Sequence, residues 1–338
     1  MLIIATAGTE LSSVEREWLA HPAVAGVTLF SRNFRDRMQV TELIAAMRAA
    51  SPRPLLICVD QEGGPVQRFR EGFTCLPSLL SVGARYGDDP DAALVLAEEH
   101  AWVMASEMRA VDIDLSFAPV VDLARGNRAI GVRAFDAEPE IVAALGAAYV
   151  RGMRLAGMAA TLKHFPGHGS VLEDTHFECA VDARPGDRLW AEDLLPFREA
   201  IAAGAEAVMM AHVVYPAIDE LPAGYSRRWI VDVLRDEMGF SGVVMSDDIG
   251  MVGAQGAGSV ADRIEAHVGA GCDLVLVCQP ESVPAALVAA ESAGYSSSGA
   301  IDALTGRVAA RWEELIANPQ RAGFISNLSS LESQGMAV

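Results

Sequence analysis

The chain has 338 residues, of which 51% are hydrophobic and 21% are charged. Its formal net charge of −19 argues against nucleic acid or an anionic membrane surface as a partner, because phosphate groups would be repelled. The length is sufficient for a large hydrophobic core in one or two domains.

The cysteines and the first residues predict a soluble cytoplasmic protein. Five cysteines form an odd set without a Cys-x-x-Cys pair, and Cys58, Cys272 and Cys278 lie in or beside apolar runs. This pattern is typical of free thiols in a reducing compartment. The opening MLIIATAGTE has neither the basic start nor the long apolar region of a signal peptide. No apolar run approaches the length of a membrane span.

Eight short apolar runs recur along the chain. They are continuous rather than alternating, which is typical of parallel strands buried on both faces. The runs cover residues 2–6, 26–30, 55–59, 113–121, 159–162, 207–211, 242–245 and 273–277.

Segments with helical spacing separate or follow these runs. They cover residues 12–22, 38–50, 92–111, 140–157, 193–204, 228–239, 261–271, 282–294 and 301–317. The alternation predicts a single-domain (β/α)8 TIM barrel, of class α/β, over residues 1–317. A doubly wound open sheet is the alternative. Residues 318–338 have little apolar periodicity and are expected to wrap the surface or to be mobile.

Ionisable side chains follow most of the predicted strands, where a barrel enzyme holds its active site. These side chains are Asp60, Asp122, Lys163, His164, His212, Asp247 and Asp248. Because neighbouring residues of a strand point to opposite faces, one of Asp247 and Asp248 is expected to face the barrel mouth. The other acid then turns towards a helix or caps a loop, and the residues alone leave open which is which.

The segment KHFPGHGSVLEDTH, residues 163–176, contains three histidines. His164 and His168 suggest a metal site, but the Pro-Gly pair between them prevents the helix that would align two zinc ligands. Asp174 and His176 are close enough in sequence to meet in a tight turn. There the carboxylate would fix the imidazole tautomer, which makes a general acid/base the favoured interpretation and a metal the alternative.

The segment VDQEGGPVQRFR, residues 59–70, combines acids with arginines. It is not a phosphate-binding loop, since no Gly-Lys-Ser/Thr follows the glycines. The acids Asp60 and Glu62 lead it, and the arginines Arg68 and Arg70 end it. Such a combination near a barrel mouth, which Arg133 from a later segment could join, suits hydrogen bonding to a neutral polyol.

These motifs, together with FAPVVDL, MMAHVVY and GFSGVVMSDDIGM, resemble those of family 3 glycoside hydrolases. More narrowly, they resemble the single-domain bacterial β-N-acetylglucosaminidases of cell-wall recycling. The resemblance implies Asp247 as nucleophile, His176 as general acid/base and Asp174 as its orienting partner. It also implies sugar contacts by five residues: Asp60, Arg68, Arg133, Lys163 and His164. Ala180, Ala134 and the IGM that follows the acid pair depart from the common pattern.

The resemblance implies a retaining exo-hydrolase that removes terminal β-linked GlcNAc from peptidoglycan fragments, GlcNAc-1,6-anhydroMurNAc and its peptides. No metal or other cofactor is expected, the partner is a small carbohydrate, and the loop from Phe165 to Asp182 is expected to close over it. A β-glucosidase-type member of the family and a metal-dependent barrel hydrolase are the alternative enzymes. A sugar-binding barrel without catalysis is the non-enzyme alternative.

Overall fold

All eight predicted strands are present, and they form one parallel sheet. The structure is a computed structural model that describes residues 1–296, 299–307 and 310–335. The strands are β1 (Leu2–Ala5), β2 (Val24–Leu29), β3 (Leu56–Val59), β4 (Leu115–Ser116), β5 (Thr161–Phe165), β6 (Ala207–Met210), β7 (Val243–Asp248) and β8 (Leu274–Val277).

The sheet closes into a barrel. Its strand order is β4-β3-β2-β1-β8-β7-β6-β5, and its neighbours pair in parallel. Parallel bridges from Leu115 to Ala159 and from Val120 to Lys163 join the two ends of this order. The predicted (β/α)8 barrel is therefore confirmed, and the open-sheet alternative is wrong.

Helices form the outer layer of the barrel. They are α1 (Ser13–Ala20), α2 (Arg37–Ala50), α3 (Leu79–Gly83), α4 (Pro90–Arg109), α5 (Pro139–Leu155), α6 (Gly186–Ala191), α7 (Leu194–Ala202), the π-helical α8 (Arg228–Glu237), α9 (Val260–Ala270), α10 (Val283–Ser292), α11 (Trp312–Ile316) and α12 (Pro319–Gly335). Several begin at a side chain that accepts a hydrogen bond from a first-turn N–H, which supplies one partner that the helix itself lacks. The residues that do so include Ser12, Asp36, Asp89 and Ser259.

The prediction of one helix over residues 301–317 is wrong. The chain there forms a short 3-10 helix at Gly299–Ala303 and then α11, with residues 308 and 309 outside the described part. The buried Arg109 explains the break, because its guanidinium donates to the Arg307 carbonyl oxygen at 2.9 Å. The Gly306 N–H donates to Asp114 Oδ1 and the Arg307 N–H donates to the Gly157 carbonyl oxygen, so both groups bond outside a continuous helix.

The C-terminal helix α12 lies against α4. Phe324 contacts Trp102 edge to face, Asn327 donates to the Glu99 carboxylate, and Arg321 forms an ion pair with the buried Glu107. Residues 336–338 lie outside the described part of the chain.

Two hydrophobic clusters show which way the strand side chains point. In β3, Leu56 and Cys58 belong to the cluster inside the barrel, and in β7 Val243 and Met245 do so. Val244, between the last two, packs in the cluster between the sheet and the helices. Every second residue of a strand thus faces the barrel axis, as strand geometry requires.

Two smaller sheets accompany the barrel. A three-stranded sheet joins Ala180–Val181, Val213–Tyr215 and Asp219–Pro222, and a two-stranded ribbon joins Gln61–Gly63 and Val66–Gln67.

All five cysteines lie in the described residues and are free. Among those residues, no helix combines the length and the apolar character needed to cross a lipid bilayer.

Candidate active site

In three strands, the side chains that face the barrel axis end in a charged residue. Cys58 is followed two residues later by Asp60, Thr161 by Lys163, and Met245 by Asp247. The alternation seen in the core therefore places these three side chains over the barrel axis.

They line a cavity of about 810 Å³. All eight predicted site residues line this cavity: Asp60, Arg68, Arg133, Lys163, His164, Asp174, His176 and Asp247. Glycosides need such a concave site with a few convergent polar groups.

Asp247 and Asp248 have different environments. Asp248 Oδ1 accepts hydrogen bonds from the backbone N–H groups of Gly250 and Cys278, and its Oδ2 accepts one from Gln279 Nε2 at 2.8 Å. Both oxygens of Asp248 therefore hold the loops that follow β7 and β8. Among the described residues, Asp247 accepts one protein hydrogen bond, from the Asp248 N–H to Oδ1 at 2.8 Å, and its Oδ2 stays available.

A buried chain of groups supports Asp247 from behind. Asp122 accepts the Nδ1–H of His164 at 2.7 Å and the His164 backbone N–H at 3.1 Å. This pairing directs His164 Nε2 to Asp247 Oδ2, 4.0 Å away. Burial acts to raise the pKa of Asp247, but His164 and His212 outweigh it and lower that pKa, so Asp247 is an anion at neutral pH.

A buried ion network forms the side of the cavity nearest β3 and β5. Lys163 Nζ lies 2.8 Å from Asp60 Oδ1 and 2.6 Å from Glu62 Oε1. Arg133 binds both oxygens of Glu62 at 2.8 Å, and Arg68 lies 3.3 Å from Asp60.

This network keeps its members ionised despite their burial. Burial would lower the pKa of Lys163, but Asp60 and Glu62 raise it; burial would raise the pKa of each acid, but the cations lower both. The result is a fixed array of charged donors and acceptors with the chemistry to bind sugar hydroxyl groups.

Asp174 and His176 form a second, exposed pair. His176 Nδ1 lies 2.7 Å from Asp174 Oδ1, and the same oxygen accepts the His176 backbone N–H at 2.9 Å. The carboxylate therefore holds a proton on Nδ1 and leaves Nε2 of the imidazole, which is 55% exposed, for proton exchange. These bonds lower the pKa of Asp174, although its partial burial acts in the opposite direction.

The loop that carries this pair is anchored between its two charged residues. Thr175 is buried, and its hydroxyl forms a hydrogen bond with His168 Nε2 at 3.0 Å. The carbonyl oxygen of Thr175 accepts the Gly253 N–H, also at 3.0 Å. The hydroxyl and the carbonyl oxygen of this buried residue therefore both have protein partners.

A second anchor holds the first half of the loop. Asn127 Nδ2 donates to the carbonyl oxygens of Val171 and Glu173. The tip that presents His176 is therefore exposed while the backbone that leads to it is held.

His168 serves this anchoring. Its Nδ1 lies 3.0 Å from Asn127 Nδ2, and its Nε2 lies 3.0 Å from the Thr175 hydroxyl. Burial lowers the pKa of His168 to about 4, which keeps the ring neutral at pH 7. Both ring nitrogens are occupied by protein partners. Within the described ranges, no group of three or more His, Cys, Asp or Glu side chains has the arrangement of a metal site.

The predicted site omits three residues that the structure makes part of it: Glu62, Asp122 and Asn127. Glu62 is two positions from Asp60 and Asp122 ends a predicted strand, so the strand-end signal pointed to both. Asn127 lies in an irregular segment between β4 and α5, where the sequence carries no periodic signal.

A (β/α)8 barrel whose mouth holds an ionised aspartate, a histidine–aspartate pair and an array of hydroxyl-binding charges has the architecture of a glycosidase. Residues 2–310 match the model of the glycosyl hydrolase family 3 N-terminal domain. The chain therefore belongs to glycosyl hydrolase family 3 and is a glycoside hydrolase.

Similar proteins narrow this assignment. The chain is 61% identical over 338 residues, all of both chains, to a beta-hexosaminidase of Stenotrophomonas maltophilia (strain R551-3). The structure of NagZ from Neisseria gonorrhoeae in complex with N-trifluoroacetyl-D-glucosamine matches it with a TM-score of 0.90 and 38% identity, over 98% of this chain and 97% of that one. A structure of the same NagZ in complex with zinc ion matches with a TM-score of 0.88 and 37% identity, over the same shares. Within family 3 the chain is thus of the NagZ type of β-N-acetylglucosaminidase.

Proposed function

We propose that this protein is a retaining exo-β-N-acetylglucosaminidase that acts on peptidoglycan fragments in the cytoplasm. Its substrates would be GlcNAc-1,6-anhydroMurNAc and the peptides of that disaccharide. The single observation that carries the mechanism is the pairing of an ionised, available Asp247 with the exposed Asp174–His176 pair on one cavity.

In the first step, Asp247 Oδ2 attacks the anomeric carbon and forms a covalent glycosyl-enzyme. His176 begins this step as the imidazolium, protonates the glycosidic oxygen from Nε2 and becomes a neutral imidazole, so the leaving group departs as a neutral alcohol. In the second step, His176 Nε2 takes a proton from water, which attacks the anomeric carbon and releases Asp247. Nε2 has then given one proton to the leaving group and taken one from water, and the enzyme returns to its starting state.

Asp174 supports both steps. Its carboxylate, bound to His176 Nδ1, holds the tautomer and stabilises the imidazolium that forms when Nε2 takes a proton. Such a pair therefore needs no buried carboxylic acid with a raised pKa.

The buried ion network would hold the sugar. Asp60, Arg68, Arg133, Lys163 and His164 are the proposed contacts to its hydroxyl groups, and no metal or other cofactor is assigned a role. Because these side chains are already fixed by one another, little side-chain entropy is lost when the sugar binds. Glu62 holds Lys163 and Arg133 from behind without lining the cavity.

Two measurements test this proposal. Proton NMR of the first product should show β-configured GlcNAc, whereas immediate release of the α-anomer would contradict retention. A slow fluorinated N-acetylglucosaminide should leave a covalent adduct on Asp247 in the peptide map, and an adduct on Asp248 would overturn the assignment.

Substrate class and metal dependence need a separate comparison. Turnover of aryl β-N-acetylglucosaminide should exceed that of aryl β-glucoside, and it should be unchanged by a chelator. Preference for the glucoside would favour the β-glucosidase alternative. Loss of activity with the chelator, restored by zinc, would favour the metal-dependent hydrolase.

A further inference from the structure

Five cations line the active-site cavity, and they differ in what neutralises them. They are Arg32, Arg68, Arg128, Arg133 and Lys163. Three of these, Arg68, Arg133 and Lys163, form ion pairs with Asp60 or Glu62. The other two, Arg32 and Arg128, are exposed and belong to different segments, one following β2 and the other following β4.

Arg32 is held in place without losing its charge. Its Nε donates to the Thr6 carbonyl oxygen at 3.0 Å, and its Nη2 donates to the Cys278 carbonyl oxygen at 2.9 Å. The guanidinium lies over the Phe30 ring, 4.2 Å from its centroid. Within the part of the chain that the structure describes, Arg32 has no carboxylate at ion-pair distance. Neutral acceptors and an aromatic face therefore orient the guanidinium, while the acids Asp248 and Glu281 act on its charge from beyond ion-pair distance.

Arg128 has a carboxylate partner that is easily exchanged. Its Nη1 lies 3.2 Å from Glu178 Oε1, and the two side chains are 69% and 45% exposed. Ion pairs this exposed contribute little free energy, so a substrate anion can compete with Glu178. Glu178 is two residues from His176, which places Arg128 beside the proposed acid/base and hence on the side of the leaving group.

The electrostatics of the cavity differ from those of the chain. The net charge of the chain is −19, whereas equal numbers of carboxylates and cations line the cavity. The five carboxylates are Asp60, Asp174, Asp247, Asp248 and Glu281. GlcNAc itself is neutral and offers no anionic group to either arginine. An anion that these arginines recognise must therefore belong to the leaving group.

We propose that Arg32 and Arg128 select substrates whose leaving group carries a carboxylate. This inference rests on the proposed function, since it concerns the leaving-group side of the same site. The carboxylate is either the lactyl group of a muramic acid or the free carboxylate of a peptide attached to it. A charge-assisted hydrogen bond from a guanidinium is the interaction that would recognise both.

The test compares substrates that differ in one charge. These are GlcNAc-1,6-anhydroMurNAc as the free acid, its lactyl methyl ester, and the same disaccharide with the lactyl group coupled to an alanine whose carboxylate is free. The native enzyme should have a higher kcat/KM for the acid than for the ester. In the Arg32→Gln/Arg128→Gln double variant, the acid-to-ester ratio should fall about tenfold, which corresponds to one charged hydrogen bond.

Several readouts separate a charge effect from a structural one. The native preference for the acid should weaken as salt rises, because exposed charges are screened. Arg32→Lys should retain part of the preference. Arg35→Gln is the matched control, since Arg35 pairs with Asp36 at 66% and 42% exposure but does not line the cavity. That control should leave the acid-to-ester ratio as it is in the native enzyme.

The outcomes divide clearly. An unchanged acid-to-ester ratio in the double variant would overturn the inference. Equal losses on acid and ester would overturn it too, because the arginines would then bind the sugar. If the native enzyme also prefers the alanine-coupled substrate over the ester, the peptide carboxylate is a second source of the recognised anion. If it does not, recognition is limited to the lactyl group.

Failure of the proposed function would look different. It would appear as an absence of turnover of both acid and ester by the native enzyme. In that case the dissociation constants of the two disaccharides for Asp247→Asn protein, with and without the arginine substitutions, still decide the inference. Tighter binding of the acid that is lost in the double variant supports it, and equal binding of acid and ester overturns it.

Discussion

The floor of the cavity and the loop above it hold charged groups in opposite ways. On the floor, Lys163 and Glu62 are almost fully buried and each ion pair is shared with a second partner. On the loop, His176 is mostly exposed and its charge partner is two residues away in sequence. One region is cross-linked between distant strands, and the other is a local turn.

This difference matches the two chemical tasks proposed for the site, which are to hold the sugar and to transfer protons. Holding a sugar and a nucleophile requires atoms that stay in place, and buried networks between strands provide that. Donating a proton and then accepting one requires access to both the leaving group and water, which an exposed imidazole has. The anchors at Thr175 and Asn127 join the two regions, because they restrain the loop without burying its tip.

Removing the proposed nucleophile should have the largest effect. Asp247→Ala is expected to lower kcat for every substrate by at least about 1,000-fold, because no other group can form the covalent intermediate. Its melting temperature should stay near that of the native protein, since the Asp248 N–H is the protein donor that Asp247 satisfies. Steady-state kinetics and calorimetry measure both.

The neighbouring acid provides the control. Asp248→Ala should lower the melting temperature, because three loop donors lose their acceptor. Near-normal turnover by Asp247→Ala would refute the division of roles between the two acids.

Breaking the floor network should have the next largest effect, on stability. Glu62→Ala leaves Lys163 and Arg133 buried with one carboxylate fewer, which is expected to cost about 4 kcal/mol of unfolding free energy. Urea denaturation measures this loss. Glu98→Ala removes an exposed pair with Arg151 and should change stability by less than about 1 kcal/mol. Similar losses in the two variants would contradict the contrast between floor and surface.

The anchor of the loop should make stability depend on pH. The folded protein holds His168 neutral with a pKa of about 4, below the ordinary histidine value. Its contribution is therefore fully present above about pH 6.5 and is lost as the pH falls towards 4, by up to about 3 kcal/mol. His168→Gln should lack this part of the pH dependence in denaturation curves measured across that range. A curve parallel to that of the native protein would show that His168 does not titrate this way.

Removing the proposed acid/base should have the smallest effect of the four, and one that depends on the leaving group. His176→Ala is expected to lower kcat/KM by on the order of 100-fold for sugar leaving groups, which need protonation. Activated aryl glycosides, whose leaving groups depart as anions, should lose much less. Equal losses on the two substrates would argue against an acid role for this loop.

Much of the fold could be predicted from the sequence because strands buried on both faces leave continuous apolar runs. All eight runs correspond to barrel strands, and five of the ionisable residues at their ends line the cavity: Asp60, Lys163, His164, Asp247 and Asp248. The helix predicted over residues 301–317 was wrong because its periodic pattern competes with the buried Arg109, which takes the backbone acceptor at Arg307. That contact spans 198 residues and leaves no local signal.

The local contacts of the candidate site could also be predicted from the sequence, whereas its long-range contacts could not. Asp174 and His176 are two residues apart, so their turn could be anticipated from local chemistry, and the structure shows the hydrogen bond. Asn127 bonds to Val171 and Glu173 across more than forty residues, and nothing near it in sequence indicates that contact.

By itself, the sequence determined where the strands lie, which residues end them and which short-range pair the loop can form, because these depend on apolar runs and on neighbours along the chain. Only the tertiary structure decided that Asp247 faces the barrel axis while Asp248 binds the loops. Both faces of a barrel strand are apolar, so the two sides are indistinguishable in a continuous run. The choice between them is made by closure of the sheet, which turns alternate residues of β7 inward and places Asp248 against the loop after β8.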